Sequence, residues 1–405
     1  MKAKKLFFLL ILLLPLNLGK HFVIKDSYVL GLLIDYLIPT IFVQDILVFL
    51  IILFWVSDLV KKGSLTQTAL SLISKNSVKL LVFFIFSVFL SVLDSQRIWP
   101  SLYSFLRLTL YSILALYIAK EYNFEQDARK TIALFLVSVF LVAVLGLAQF
   151  VNKGSVFDNY LFFGEQPYSL STPLVAKDSF FGRPVLPPYG LFRHPNILSV
   201  FLVFAIYLCI RFATRTKLKF LALFVMFSVF LATLSYFSWL SLVVIFSLEL
   251  FSKEQTAKIP LYVCLLIFPF IFLFFPKLLP FQQNISYLRR EEFLKSAYYL
   301  FLEKPLYGVG HNNITLVVEK YMNVPHDLRF TQPVHNVSAL IAAESGLFSF
   351  IFYILFVGNL FVRKKNPTIQ LLLVAVVFLS GFDHYFFTIH QTQLLFWIVA
   401  GLSLV

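Results

Sequence analysis

Residues 331–358 read TQPVHNVSALIAAESGLFSFIFYILFVG, and the run beyond His335 decides what kind of protein this is. From Val337 to Val362 a single charged residue, Glu344, interrupts an otherwise apolar and neutral stretch. A helix needs about 20 such residues to cross the hydrocarbon core of a bilayer, because each residue advances it by only ~1.5 Å. This stretch is long enough, and it reads as a transmembrane helix. A His-Asn pair stands at its mouth, and a carboxylate lies inside it, where ionisable groups are costly.

The rest of the chain repeats the pattern. Of its 405 residues 60% are hydrophobic and 13% charged, with a mean hydropathy of +0.86. Soluble domains carry about 25% charged residues and roughly 45–50% apolar ones. The 50 phenylalanines suit a lipid-facing surface. Apolar runs near 6–19, 37–57, 79–93, 100–119, 131–151, 195–213, 218–234, 237–252, 259–276, 337–361, 368–384 and 391–405 predict about twelve spans. The fold class expected is all-α: one polytopic membrane domain, residues 1–405, with external loops at 152–194 and 277–336. The start, MKAKKLFFLLILLLPLNLGK, has the layout of a signal peptide but no A-x-A site, and reads as a retained first span. Cys209 and Cys264 both fall in apolar runs and are expected to be buried thiols.

Basic residues orient the spans. With the N-terminus in the cytoplasm, the connections 1–5, 58–79, 120–130, 211–219, 253–258 and 362–367 are cytoplasmic and hold 19 of the 34 Lys and Arg. Every one of them is short and basic, as the positive-inside rule requires. The C-terminus is then cytoplasmic too. The net charge of +14 is therefore a matter of topology, and no nucleic-acid partner is expected. All seven histidines fall on the external side, which favours chemistry there.

The segment 277–336 contains YLRREEFLKSAYYLFLEKP, a short amphipathic helix that Pro305 must end, followed by LYGVGHNN. Gly308 and Gly310 permit tight backbone geometry there. No Walker or dinucleotide motif occurs, so no nucleotide cofactor is expected. No H-E-x-x-H or paired-cysteine motif occurs either, and the Asp383-His384 pair with His390 reads as interfacial polarity, so no metal is expected. Arg107, Arg193, Arg289 and Arg290 carry guanidinium groups that match phosphate oxygens in pairs. Each also has an ordinary reading, as a snorkelling or helix-surface arginine. His335 can be a general base near neutral pH, or a helix-entry residue beside the cap Asn336. Glu344 is nine residues on, about 900° around a straight helix, so it points away from His335 and supports the site from behind or pairs with a neighbouring span.

Four segments in order resemble the O-antigen ligase and polymerase superfamily of bacterial membrane glycosyltransferases. They are GLFRHPNILSVFL at 190–202, with His194 and Asn196; LATLSYFSWLSL at 231–242; RREEFLKSAYYLFLEKPLYGVGHNN at 289–313, ending at Asn313; and PVHNVSALIAAESGLFSFIFYI at 333–354. The resemblance implies metal-independent, inverting transfer of a glycan, by a ligase or a polymerase, from a polyprenyl diphosphate carrier to a hydroxyl of a glycan, lipid or protein acceptor, on the outer face of the bacterial inner membrane. It implies His335 as the base and Arg290, with Arg289 adjacent, as the diphosphate ligand. Gly308, Gly310, Asp383 and His384 would support them. Where the family often has arginine in its Ser-Arg turn, this chain has Tyr236, which brings no charge; Arg193 or Arg107 would have to compensate. The competing expectation is a transporter or flippase for lipid-linked saccharides, without covalent transfer.

Overall fold

The computed structural model describes residues 2–173, 175–180, 183–214, 216–251, 285–322, 331–362 and 366–405. Helices fall on eleven of the twelve expected runs; the run at 259–276 and its Cys264 lie outside the described residues. In chain order they are α1 (Lys2–Leu12), α2 (Val43–Lys61), α3 (Leu65–Ile73), α4 (Asn76–Leu93), α5 (Ile98–Glu121), α6 (Phe124–Asn152), α7 (Pro195–Phe212), α8 (Lys217–Ala232), α9 (Tyr236–Phe251), α10 (Ile285–Glu303), α11 (Val337–Val362), α12 (Pro367–Ser380), α13 (Tyr385–Thr388) and α14 (His390–Leu404). Six of them, α2, α4, α5, α6, α7 and α11, are long and apolar enough to cross a membrane. The protein is an all-α membrane protein.

Three boundaries differ from the reading of the runs. The first helix ends at Leu12, ahead of Pro15. Gln44 Nε2 donates to the carbonyls of Leu13 and Leu16 at 2.9 and 2.6 Å, which satisfies carbonyls of the turn that follows the helix. The second run becomes helical only at Val43, because Asp45 accepts the N–H of Phe42 and fixes the entry. The run 368–384 stops being helical at Ser380, so Asp383 and His384 stand in a connection.

Contacts divide the chain into two units. The first comprises residues 1–20, 41–54 and 122–251. Within it α6 packs on α1, α7 and α8, and α7 packs on α9. Its loop 152–194 is organised by Glu165, which is fully buried. The Glu165 carboxylate accepts from Gln149 and from the backbone of Val156 and Phe157.

The second unit comprises residues 21–40, 55–121 and 252–405. Here α4 lies against α11, and α5 against α14. The helix α10 buries Phe293, Ser296, Ala297 and Leu300, spaced as one face of a helix requires, and ends two residues before Pro305. That face packs against α11 and against the turn Val318–Tyr321.

The helix α11 is broken at Gly346, whose φ of 77° and ψ of −176° only glycine adopts readily. A break in a helix frees carbonyls and an N–H, and these must find partners away from water. The connection after α10 supplies them. Val309 N donates to Ala343 O at 2.9 Å, Gly310 N to Glu344 O at 3.0 Å, and Leu347 N to Pro305 O at 2.8 Å. Ser91 of α4 adds a hydroxyl to Glu344 O at 2.8 Å. The backbones approach so closely that a Cβ on Gly346 would meet Leu306 O at 2.1 Å, and one on Gly308 would meet Glu344 O at 2.3 Å. Gly346→Ala is therefore expected to destabilise the protein by more than the ~1–3 kcal/mol of its backbone strain alone. A thermal melt of the detergent-solubilised protein should show a clear loss relative to Gly358→Ala, since nothing lies within 4 Å of a Cβ there.

Candidate active site

Asn336 starts α11. Its Oδ1 accepts the N–H of Ala339 at 2.9 Å, so it caps the helix. Its Nδ2 donates to Gly381 O at 3.1 Å, which ties the mouth of α11 to the turn after α12. His335 precedes the cap and is therefore not on the helix. The straight-helix angle between it and Glu344 does not apply, since the helix begins after one and bends beyond the other. The His335 ring packs on Phe293 of α10, with centroids 5.2 Å apart, and edge-on against His384, at 5.1 Å.

Arg290 reaches the same place from α10. Its Nη2 lies 3.6 Å from Asp383 Oδ2, and its Nε donates to Phe382 O at 3.2 Å. The side chains of the pair are 11% and 6% exposed, so this is a buried ion pair. Burial pushes the Asp383 carboxyl up to about 6, against the opposing pull of Arg290 and of hydrogen bonds from Tyr385 and the His384 backbone. Its Oδ1 accepts the His384 N–H at 2.9 Å. The His384 ring is held by Thr388, with 2.6 Å between Nδ1 and Oγ1, and by the edge of Tyr36 at 5.4 Å.

The structure thus gathers His335, Asn336, Arg290, Asp383 and His384 from three stretches of chain. Arg289 is exposed, one residue away on the helix surface. Arg107 donates from its guanidinium to Thr40 O and stacks over the Tyr103 ring at 4.5 Å, so it holds the segment 21–40. Arg193, His194, Asn196 and Tyr236 belong to the first unit. There His194 Nδ1 accepts the Asn196 N–H at 3.2 Å and caps α7, while Tyr236 packs edge-on against Trp239.

Gly308, Gly310 and Asn313 shape the connection behind the cluster. Asn313 accepts Arg97 N at 2.8 Å and donates to Ser101 Oγ at 2.6 Å, which fixes the connection to the start of α5. Glu344 Oε1 accepts from Ile314 N at 3.2 Å, and its Oε2 lies 4.0 Å from His311 Nδ1. Glu344 therefore holds the same connection from within α11. Burial pushes His311 down to about 3, so it is neutral at physiological pH.

His335, Asp383 and His384 each offer a ligand atom, all within 4.8 Å of one another, which is the spacing of a metal site. Arg290 pairs with Asp383 Oδ2, while Asp383 Oδ1 lies 3.7 Å from His384 Nε2. Sequence reasoning missed His311, Tyr36, Phe293 and Thr388 as neighbours of the functional residues. Of these, His311 alone carried a signal, its place in the Gly-Val-Gly-His-Asn-Asn stretch.

Fold and cluster together define a polytopic membrane protein with a buried guanidinium–carboxylate pair beside two histidines. Residues 197–354 match the family model described as O-Antigen ligase, and this match supports placing the chain in the O-antigen ligase and polymerase superfamily. No curated protein and no solved structure gives a significant match.

Removing one member of a buried ion pair leaves the other charge uncompensated, at about 3–5 kcal/mol, whereas replacing both is far milder. Asp383→Leu should therefore lower the melting temperature more than the double variant Arg290→Met/Asp383→Leu. Equal losses would mean that the two side chains do not compensate each other.

Proposed function

We propose that this protein transfers a glycan from a polyprenyl diphosphate carrier to an acceptor hydroxyl, at the outer face of the bacterial cytoplasmic membrane. The observation that carries the reading is the meeting of His335 with the Arg290–Asp383 pair, within a chain whose residues 197–354 match the O-antigen ligase family.

In this mechanism His335 takes the proton of the acceptor O–H as its oxygen attacks the anomeric carbon. The bond from that carbon to the diphosphate oxygen breaks, and the electron pair leaves with the diphosphate. Attack from the face opposite the leaving group inverts the anomeric centre. The diphosphate is already a good leaving group, so the protein needs to supply a base and positive charge rather than a metal. Arg290 meets the growing negative charge. Asp383 aims the guanidinium and fixes His384 through its backbone N–H; His384 in turn packs on His335 and sets the ring's orientation. Glu344, Asn313 and the glycines hold the connection that backs the site. With Tyr236 standing where the family often has a guanidinium, the cation of the cluster in this reading is Arg290.

His335→Ala is expected to reduce transfer from a lipid-linked glycan by roughly 10²–10⁴-fold. Arg290→Ala should cost on the order of 10²–10³-fold, with insertion and expression retained. Full activity in both variants would overturn the assignment. Solute movement across vesicles with no covalent product would replace it with transport. Chelation with EDTA should leave the transfer rate unchanged; a loss restored by a divalent cation would make His335, Asp383 and His384 a metal site instead.

A further inference from the structure

The segment 22–40 takes no part in the chemistry above, yet it is built with care. Phe22 N donates to Pro39 O at 2.8 Å and closes its base. Inside, strands β1 (Tyr28–Val29) and β2 (Leu32–Leu33) pair antiparallel, Tyr28 opposite Leu33 and Val29 opposite Leu32. Leu30 and Gly31 form the turn, with φ of 48° and 84°. Two positive φ values make a type I′ turn, whose first position in water-facing hairpins is normally Asn or Asp. Leucine is doubly wrong there for a hairpin in water: its Cβ strains the left-handed backbone, and its side chain is apolar.

Leu30 is 83% exposed, and Tyr28, Leu32 and Leu33 are exposed as well. This is not looseness. Val29, Ile34 and Leu37 form a buried cluster packed by Tyr36 and Leu316, so the hairpin has its own core and still presents leucines outward.

Its anchors hold the segment against the start of α5. Asp26 Oδ1 pairs with Arg97 Nη1 at 2.9 Å. Asn312 Nδ2 donates to both Tyr36 O and Pro100 O, at 3.1 and 3.3 Å. Thr40 O accepts from Tyr103 and Arg107. These ties descend the first three turns of α5, a 24-residue helix about 36 Å long, against a hydrocarbon core of about 30 Å. Trp99 is 62% exposed in the first turn, at the level where interfacial aromatic residues sit. Lys25, exposed beside the hairpin, suits the headgroup layer.

We propose that the hairpin Tyr28–Leu33 is a membrane wedge: its Leu30–Gly31 tip lies among the acyl chains of the leaflet at this end of α5. In the orientation proposed above this is the outer leaflet. The same segment places Tyr36 on His384, so the wedge joins the lipid phase, from which a lipid-linked donor would arrive, to the edge of the histidine cluster. That last consequence rests on the proposed function; the insertion itself does not.

The test measures depth, not activity. In a Cys209→Ser/Cys264→Ser background, Leu30→Cys carries an environment-sensitive fluorophore, and the full chain is reconstituted in phosphatidylcholine–phosphatidylglycerol vesicles. Blue-shifted emission quenched by doxyl-labelled phospholipid is expected at position 30, and water-like, unquenched emission from Lys25→Cys. Water-like emission at position 30 would overturn the proposal. So would a shielded label that lipid quenchers do not reach, since that would mean a protein partner or a second copy on the hairpin. Should the cysteine-free chain fail to insert, wild-type protein in vesicles of diazirine-bearing phosphatidylcholine gives the same answer. Adducts on residues 28–33 are expected, and adducts on α2 and α5 with none on 28–33 would refute the wedge.

Discussion

Much of the second unit depends on one backbone requirement: a helix that breaks in a water-poor setting must have its freed groups bonded elsewhere. The break in α11 at Gly346 opens the carbonyls of Ala343 and Glu344 and the N–H of Leu347. The connection after α10 closes them again, and Gly308 and Gly346 let the two backbones come close enough to do so. The Glu344 side chain then reaches the next turn of the same connection, at Ile314. The position of α10 relative to α11 follows from this interlock, and so does the meeting of Arg290 with residues from the far side of α11.

The cluster is electrostatically economical. A guanidinium in a poorly hydrated place needs a carboxylate, and a buried carboxylate needs donors. Arg290 and Asp383 answer each other, while Tyr385 and the His384 backbone take up further acceptor capacity on Asp383. A diphosphate arriving here would meet a cation already oriented, at little cost in reorganisation. The two histidines differ in surroundings: His335 stands at the open mouth of α11, partly exposed, whereas His384 is buried and bonded to Thr388. In the proposed mechanism that contrast fits His335 to exchange the proton and His384 to hold the ring in place.

Much was legible from the order of residues. Run length and composition marked the helices, since a bilayer accepts only long apolar segments with their backbone satisfied. Pro305 marked the end of α10, and His335-Asn336 marked the start of α11. Arg290 and Asp383 could each be named, but not as a pair: 92 residues separate them, and no periodicity links them. Arg107 shows the limit from the other side. A charged residue inside a span suggested a phosphate ligand, and the structure commits its guanidinium to Thr40 O.

By itself, then, the sequence determined the solvent this protein lives in, its helical class and the chemical types present on its connecting segments, because hydrophobic length and side-chain chemistry are local properties. Only the tertiary structure decided which of those side chains meet. Whether Arg289 or Arg290 faces the cluster depends on the angular setting of α10, and that is set by burial of Phe293, Ala297 and Leu300 against distant chain. Whether Glu344 partners His335 or braces a loop depends on where α11 starts and bends. Contacts of that kind come from the packing of elements remote in sequence, and no local pattern encodes them.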